Sequence, residues 1–353
     1  LMATNMVHYW EVPSNSAGGA QPGAMAQVLQ AVLEHSPVIQ PHIAVTLGAS
    51  LVSEIEVLHA MRTSKPKSAA GVDGIELKLY RKFSDFFVPL FQRMFSVIGT
   101  TCVFPPSFSE GVITTVHKTG PVSQPGNYRP LTLINTDYRL LARCLATRLG
   151  KALGPIIHST QTAFLKGRRI GDTISLLQLA PHALNFLTGP NTPCMIAFLD
   201  FRKAYDTVSR PFLIAIMEQM GVGAGFLSWS SLFLSPSPTR AVVNGFMSPI
   251  RYFRGGVRQG CPLSPAPYMF VGQALSSWLD ATGFGVMIAT HRYVAPQFSD
   301  DTKVFLSPLT EEPRLFDNMD IFGAATGQYL NRDKVKSCHF LRHLHLTPPF
   351  RFL

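Results

Sequence analysis

Met195-Ile-Ala-Phe-Leu-Asp200 and Phe298-Ser-Asp-Asp-Thr302 are the two stretches that decide the fold of this chain. The first is a short apolar run of strand length that ends on a carboxylate. The second joins two strand-like runs, residues 291–298 and 302–306, through a pair of adjacent acids. Neighbouring carboxylates at a strand turn repel each other, and a bound cation relieves that repulsion. Taken alone, an Asp-Asp pair is also typical of an ordinary polar hairpin turn.

Outward from these stretches, the pattern predicts one further strand and several helices. Residues 111–117 are rich in β-branched side chains and predict a strand. A helix is expected from Asp137, as its cap, to about residue 153, and others over residues 211–220 and 267–279. Pro296 argues against a central position for the 291–298 strand. The first 60 residues, rich in Gly, Ala, Ser and Pro, predict an extension with helical stretches near residues 25–34 and 51–61.

The helix that starts at Asp137 predicts an amphipathic packing. Four leucines share one arc of its helical wheel, and four basic residues occupy the remaining face. The leucines, expected to pack inward, are Leu141, Leu145, Leu149 and Leu153. The basic residues, expected to face outward, are Arg139, Arg143, Arg148 and Lys151.

The charge of the chain points to a polyanionic partner. The 353 residues contain 31 Lys and Arg against 21 Asp and Glu, a formal net charge of +10. Nine of these basic residues, against the single acid Asp137, lie between Lys118 and Arg169. A concentrated cationic segment suits contacts with nucleic-acid phosphates. Its alternative interpretation is a solvated basic face.

Cysteine usage and hydropathy exclude two classes of partner. The five cysteines are odd in number, widely spaced and without a C-x-x-C pair. This pattern favours a reducing, intracellular compartment and no disulfide-linked partner. No apolar run approaches the ~20 residues that a membrane span needs, so no membrane partner is expected.

Seven motifs follow one another in a fixed order. They are Lys67-Ser-Ala-Ala-Gly-Val-Asp-Gly74, Asn127-Tyr-Arg-Pro-Leu-Thr-Leu133 with Asp137-Tyr-Arg-Leu-Leu-Ala-Arg143 behind it, Gln161-Thr-Ala-Phe-Leu-Lys-Gly-Arg-Arg169, the segment from Leu199 to Asp206, Gly256-Val-Arg-Gln-Gly-Cys-Pro-Leu-Ser-Pro265, the segment from Phe298 to Thr302, and Gly327-Gln-Tyr-Leu-Asn-Arg-Asp-Lys334. Together they resemble the fingers and palm motifs of LINE-type (non-LTR retrotransposon) reverse transcriptases. The resemblance covers roughly residues 65 to 337.

The resemblance implies a metal-dependent catalytic centre. Asp200, Asp300 and Asp301 would form its carboxylate cluster, with Asp200 and Asp300 as the direct ligands of two Mg²⁺ ions, or of Mn²⁺ in their place. The backbone carbonyl of Phe201 would add a metal ligand, and Lys334 would protonate the pyrophosphate leaving group. Such ions activate an attacking hydroxyl and stabilise the leaving oxygen of a phosphoryl transfer.

It also implies the residues that bind the incoming dNTP. Lys118 and Arg129 would hold the triphosphate, one as a point charge and the other as a bidentate fork. Tyr205 would exclude a ribonucleotide 2′-hydroxyl, and Gln259 and Gly260 would line the nucleotide and template pocket. The expected partners are an RNA template, a DNA primer and dNTPs. Asp206 is expected to cap the helix that follows it rather than to bind metal.

The fold implied by the resemblance is α+β, a right-hand polymerase with mainly helical fingers and an antiparallel palm sheet packed on helices. Its expected divisions are an extension over residues 1–62, fingers over 63–190, a palm over 191–345 with a fingers insertion near 221–262, and a truncated tail over 346–353. The thumb, an upstream endonuclease and a downstream zinc-knuckle region are expected to lie outside this fragment. A nuclear site of action is implied by the family's life cycle alone.

Departures from the family pattern leave alternatives open. Ser299 replaces the more frequent Ala before the acidic pair, Val335 stands where Ser or Thr is usual, and Tyr329 where a basic residue is common. One alternative is a catalytically inactive remnant that binds nucleic acid through the basic segment. Others are an intron-encoded maturase, a telomerase or an RNA-dependent RNA polymerase, the last disfavoured by Tyr205.

Overall fold

The computed structural model describes residues 2–16, 19–49, 51–188, 194–288, 290–307 and 311–340. The helices in these ranges are α1 Met2–Ser16, α2 Pro22–His35, α3 Pro41–Leu47, α4 Glu54–Thr63, α5 Leu77–Lys82, α6 Ser84–Thr101, α7 Thr136–Ile156, α8 Ile170–Thr188, α9 Ala204–Thr207, α10 Arg210–Gln219, α11 Ala224–Phe233, α12 Pro265–Ala281 and α13 Glu311–Thr326. The strands are β1 Gly111–His117, β2 Tyr128–Ile134, β3 Cys194–Leu199, β4 Ser237–Val243, β5 Phe246–Met247, β6 Arg251–Phe253, β7 Val286–Ile288, β8 His291–Tyr293, β9 Gln297–Phe298, β10 Asp301–Leu306 and β11 Lys336–Phe340.

One sheet is built around the two acidic stretches. Its strand order is β11-β3-β10-β9, and all its pairings are antiparallel. Met195, Ile196, Ala197 and Leu199 of the central strand β3 are buried, as its apolar sequence requires. Helix α12 packs behind this sheet with every residue from Pro267 to Leu279 buried. The predicted α+β class, with an antiparallel sheet packed on helices, is confirmed.

A second sheet carries the hairpin β1–β2. Its order is β2-β1-β4-β5, with β6 also paired to β4. Strands β1 and β2 are antiparallel, whereas β1 and β4 run parallel, with Gly111 opposite Thr239. Residues 237–253, part of the predicted insertion at 221–262, therefore join the sheet of the hairpin and not the sheet of the acids.

The single strand predicted over residues 291–298 is wrong in its extent. It forms two short strands, β8 and β9, that belong to different sheets. Pro296 separates them, because it lacks the N–H that a continuous ladder needs and offers only its carbonyl, which accepts from the Lys303 N–H. As Pro296 predicted, β9 lies at a sheet edge.

The described residues of the first 63 contain four helices, where the sequence predicted two. Helix α2 packs against α12 and α13, and α1 packs against β4 and β6. Helix α4 begins at a reciprocal capping box, in which Ser53 and Glu56 each accept from the other's backbone N–H. These helices share buried surface with the rest of the chain, so the core runs without interruption from Ala24 to Leu330.

Helix α7 follows its predicted face with two corrections. Leu141, Leu145, Leu149 and Leu153 are all buried, as expected. The helix begins one residue before Asp137, after Asn135, so Asp137 lies in the first turn and is not the cap. Among the described helices, none is both long enough and apolar enough to cross a membrane.

The second correction concerns Arg148, which points inward instead of outward and is only 8% exposed. Its guanidinium forms a two-pronged ion pair with Glu56, with N–O distances of 2.5 and 2.9 Å. It also donates to the backbone carbonyls of Ala49 and Leu51. Because these partners use the donors of the fork, the side chain can be buried at the seam between α7 and the N-terminal helices.

Candidate active site

Strand pairing brings the separated aspartates together at the same end of two adjacent strands in the first sheet. In the β3–β10 ladder, Leu199 lies opposite Thr302. Asp200 directly follows Leu199, and Asp301 directly precedes Thr302, so the two acids stand at the same end of adjacent strands. Asp300 occupies the turn that enters β10 from β9. A tight turn is possible because Ser299 adopts a left-handed conformation, with φ of +60°.

The electrostatics of Asp300 reflect this crowding. Burial raises the pKa of its carboxyl above the ordinary value, and the neighbouring charges of Asp301 and Asp200 raise it further. Hydrogen bonds from the Asp300 backbone and the Ser299 side chain act in the opposite direction. The charges of Asp301 and Asp200 therefore disfavour the charged form of Asp300, which is a repulsion that a cation would relieve.

The carboxylates suit a hard divalent cation whose remaining coordination positions are filled by oxygens of the substrate and of water. Within the described ranges, no three His, Cys, Asp or Glu side chains are already arranged as a metal-binding group. Asp200 and Asp300 both line the cleft described below, whereas Asp301 is exposed and outside that lining. Mg²⁺ typically takes one or two carboxylates and fills its remaining positions with phosphate oxygens and water. The side chains present fit that pattern.

The segment after α13 runs beside the first aspartate. Phe201 and Leu330 form an isolated antiparallel bridge, flanked by hydrogen bonds from Asn331 N–H to the Asp200 carbonyl and from Arg202 N–H to the Tyr329 carbonyl. The Phe201 carbonyl is thus not part of the bridge's pair of hydrogen bonds. The same segment carries the exposed Lys334, whose Nζ lies 3.7 Å from Asp200 Oδ2.

Tyr205 lies between the two acidic stretches. Its hydroxyl is 2.6 Å from the Ser299 hydroxyl. Its ring stacks on Tyr268 with a centroid distance of 4.3 Å. Burial raises the pKa of Tyr205 to about 12, so the phenol keeps its proton at neutral pH.

Asp206 does not cap the following helix, and that expectation was wrong. The cap of α10 is Ser209, whose side chain accepts from the Phe212 N–H. Asp206 instead accepts a 2.9 Å hydrogen bond from Gln259 Nε2. Burial raises the pKa of Asp206, and the Gln259 bond opposes that rise. The amide of Gln259 is therefore oriented by an acid that sequence reasoning had assigned to a helix end.

The basic tip of the β1–β2 hairpin lines the same cleft as Asp200 and Asp300. Lys118 follows β1, and its N–H donates to the Asn127 carbonyl, while Arg129 lies near the start of β2. Both side chains are exposed. Within the described residues, neither head group makes a side-chain hydrogen bond or an ion pair. Both cations are therefore available to a phosphate.

This cleft is open and has a volume of about 1010 Å³. Eight of the predicted site residues line it: Lys118, Arg129, Asp200, Phe201, Tyr205, Gln259, Asp300 and Lys334. Gly260 is outside this lining. Its φ is +94°, and a Cβ there would lie 2.6 Å from the Thr132 carbonyl oxygen, so glycine allows a close approach to β2.

Two features of the site escaped the sequence analysis. Helix α1 contributes Tyr9, Trp10 and Pro13 to the same cleft, and Lys203 Nζ lies 3.9 Å from the centroid of the Tyr9 ring. The buried side chain of Gln161 also holds the acidic turn, since its amide bonds both the N–H and the carbonyl of Ser299. Local sequence patterns do not predict either of these two roles, because both depend on contacts between residues that are distant in sequence.

Comparison with known proteins gives one family and several relatives. The model of the family described as "Reverse transcriptase (RNA-dependent DNA polymerase)" matches residues 116–353. Over 281 residues the chain is 26% identical to the transposon TX1 uncharacterized 149 kDa protein of Xenopus laevis, covering 79% of this chain and 21% of that protein. It is 27% identical over 279 residues to the retrovirus-related Pol polyprotein from type-2 retrotransposable element R2DM of Drosophila melanogaster, covering 78% and 25%.

A third relative is the RNA-directed DNA polymerase from mobile element jockey of Drosophila melanogaster, 25% identical over 265 residues. That match covers 73% of this chain and 28% of the relative. The chain thus spans 21 to 28% of the length of these three curated relatives.

Proposed function

Because the chain belongs to the reverse transcriptase family, we propose that it acts as an RNA-directed DNA polymerase of a LINE-like, non-LTR retrotransposon. In the proposed reaction the 3′-hydroxyl of a DNA primer attacks the α-phosphorus of a dNTP. A phosphodiester bond forms, the bond to the β-phosphate oxygen breaks, and pyrophosphate leaves. The RNA template selects the dNTP by base pairing.

One observation carries this proposal. A single cleft is lined by an acidic wall, Asp200 and Asp300 from the first sheet, and by a basic wall, Lys118 and Arg129 from the β1–β2 hairpin. A dNTP needs both walls, since its triphosphate is polyanionic and its α-phosphate must meet the divalent cations. A volume of about 1010 Å³ is ample for a nucleotide and a primer end. Tyr205 lies in the same cleft, where a sugar would pass.

The acidic wall supplies the metal ligands of the proposal. Asp200 and Asp300 would hold two Mg²⁺ or Mn²⁺ ions, with Asp301 beside them and the Phe201 carbonyl as a further ligand. When bound, the ions would activate the primer hydroxyl and stabilise the charge on the leaving oxygen. Burial first, and then the charges of Asp301 and Asp200, raise the pKa of Asp300, and a bound cation would offset these effects.

The other side chains bind and orient. Lys118 and Arg129 would neutralise the triphosphate, the arginine as a fork that matches two phosphate oxygens. Tyr205 would block a 2′-hydroxyl, and Gln259, held by Asp206 at 2.9 Å, would contact the nucleotide. Gly260 would allow the template close to the backbone. Lys334, 3.7 Å from Asp200, would give its proton to the departing pyrophosphate.

Primer extension tests the proposal. An RNA template with an annealed DNA primer, dNTPs and Mg²⁺ is incubated with wild type, with Asp300→Asn and with the matched control Asp317→Asn. Asp317 is exposed on α13, so its substitution removes the same charge outside the cleft. We expect Asp300→Asn to lower the extension rate more than about 100-fold, since even loss of a residue that only supports a ligand costs 10- to 100-fold. The control should stay near the wild-type rate.

Two results would overturn the proposal. Equal extension rates for wild type and Asp300→Asn would show that the Asp300 carboxylate takes no part in the reaction. Background rates for all three proteins, with thermal melting showing that each is folded, would instead support the non-catalytic alternative, in which the chain only binds nucleic acid.

A further inference from the structure

The residue before the acidic pair, Ser299, contacts the residue proposed to exclude ribonucleotides. Its Oγ lies 2.6 Å from the Tyr205 hydroxyl, although the two residues are 94 positions apart. Ser299 is only 8% exposed, and Tyr205 is half-buried in the wall of the cleft. A hydrogen bond this short between partly desolvated hydroxyls limits the rotation of both side chains.

Ser299 is itself held firmly at its backbone. Its N–H donates to Gln161 Oε1 at 3.0 Å, and its carbonyl accepts from Gln161 Nε2 at 3.2 Å. Gln161 is 1% exposed, and its Nε2 also lies 2.9 Å from Gln297 Oε1. With the backbone fixed from both sides in a left-handed conformation, the direction of the Ser299 hydroxyl is set by the fold.

The ring of Tyr205 is supported from its other side. It stacks on Tyr268, with 17° between the ring planes. The Tyr268 hydroxyl donates to Gln328 Oε1, and Gln328 Nε2 donates to the carbonyl of Ala204. These contacts fix the plane of the Tyr205 ring, and the Ser299 hydrogen bond fixes the tip of that ring.

We propose that Ser299 determines sugar specificity by holding Tyr205, through the hydroxyl–hydroxyl bond, where it excludes a 2′-hydroxyl. The inference rests on the proposed polymerase function and adds to it a specificity-determining residue. Tyr205 would exclude the 2′-hydroxyl by steric contact, so the selectivity for deoxynucleotides depends on how far its ring can move. Without the hydrogen bond, the tip of the ring can move away from an incoming ribose. Ser299 is a positioning residue, because it acts through Tyr205.

A double-mutant cycle tests this. Single-nucleotide incorporation of dCTP and of CTP opposite a template guanosine is measured for wild type, Ser299→Ala, Tyr205→Phe and the double variant. The readout is the ratio of kcat/KM for dCTP to kcat/KM for CTP. Tyr205→Phe removes the same hydrogen bond from its other end and keeps the ring.

The bond is neutral, so its loss should lower the dCTP-to-CTP ratio about fivefold in each single variant. The double variant should fall no further than the single ones, because both substitutions remove one interaction. Ser299→Gly, which accepts a positive φ and also lacks the hydroxyl, should repeat the result of Ser299→Ala. That agreement separates the effect of the hydroxyl from backbone strain.

The outcomes distinguish the two proposals. If wild type incorporates dCTP and the ratio is unchanged in Ser299→Ala and Ser299→Gly, the role of Ser299 is refuted and the polymerase function stands. Multiplicative effects in the double variant would also refute it, since they would show independent contributions. If wild type incorporates neither nucleotide, the proposed function fails, and this inference fails with it.

Discussion

The basic segment from Lys118 to Arg169 contains two regions of opposite character. In the first region, the tip of the β1–β2 hairpin, Lys118 and Arg129 are exposed and line the same cleft as Asp200 and Asp300. In the second region, α7 and the loop after it, Arg148 and Arg168 direct their donors at the protein itself. The comparison shows that a run of cations in sequence does not identify a phosphate-binding surface. Such a surface is identified by whether the donors of each cation are already bound to groups of the protein.

Arg168 illustrates the second region. Its guanidinium donates to the backbone carbonyls of Gly154, Ile157 and Gln161, each at 2.8 Å. Gly154 lies in the last turn of α7 and Ile157 is its C-cap residue, so both carbonyls belong to a helix end that lacks partners within the helix. Burial lowers the pKa of Arg168. This arginine therefore caps a helix end and binds no external anion in this arrangement.

Loss of Arg148 should produce the largest effect, and it should be an effect on stability. Arg148→Ala leaves Glu56 and the carbonyls of Ala49 and Leu51 without their cation in a buried seam. Removing one partner of a fully buried pair costs about 3–5 kcal/mol in the free energy of unfolding, and the cost here should lie near the lower limit because the Glu56 side chain is 28% exposed. Urea unfolding at pH 7 measures it.

Lys151→Ala provides the matched control for that measurement. Lys151 lies on the same helix and is exposed, so its substitution should change the free energy of unfolding by no more than about 0.5 kcal/mol. If the Arg148 and Lys151 variants unfold at the same urea concentration, the division of the basic segment into two regions fails.

The one acid of the segment, Asp137, sharpens the comparison through pH. Burial raises the pKa of its carboxyl to about 6 from the ordinary 3.8, and the charge of Asp73 adds to the rise. Because the folded pKa is raised, the stabilising contribution is fully present below about pH 4 and is lost as pH rises through about 6. At neutral pH the charged form of Asp137 therefore destabilises the fold.

Asp137→Asn should accordingly raise the free energy of unfolding by roughly 2 kcal/mol at pH 7.5 and by little at pH 4. Urea unfolding of both proteins across that range measures the difference. Asp317→Asn, which removes an exposed charge, should give a profile parallel to wild type. A parallel profile for Asp137→Asn as well would show that Asp137 is not desolvated in the fold.

Strands β1, β3 and β10 and helices α2, α4, α7, α10 and α12 were predicted from sequence, because each depends on local periodicity. The apolar run before Asp200 and the leucine stripe of α7 each report a buried face without reference to the rest of the chain. The meeting of Asp200 with the turn at Asp300 was implied by the family resemblance, and the antiparallel pairing of β3 with β10 accounts for it. The role of each site residue stays a prediction until activity is measured.

What sequence could not supply is the choice of partner for long polar side chains. Arg148 was expected in solvent because its helical position adjoins the polar face, yet Glu56, 92 residues earlier, draws it inward. Asp206 was expected to cap a helix, and Gln259 holds it instead. Gln161 looked like one letter of a motif, while its amide clamps Ser299. Each case is decided by contacts between segments far apart in the chain, which no local pattern encodes.

Of the three effects that test this comparison, the smallest belongs to the first region and should appear in kinetics, not stability. Arg129→Ala removes an exposed fork proposed to bind the dNTP triphosphate. A charged hydrogen-bonded contact of this kind is worth about 1.5 kcal/mol, so kcat/KM for dNTP should fall roughly tenfold, mainly through KM. The free energy of unfolding should change by less than about 0.5 kcal/mol.

Arg129→Lys should recover part of the loss, since a point charge keeps the attraction but not the bidentate geometry. Steady-state primer extension over a range of dNTP concentrations, paired with urea unfolding, reads both quantities. An Arg129→Ala protein with unchanged KM and a lowered unfolding midpoint would reverse the assignment, because the hairpin arginine would then resemble Arg148.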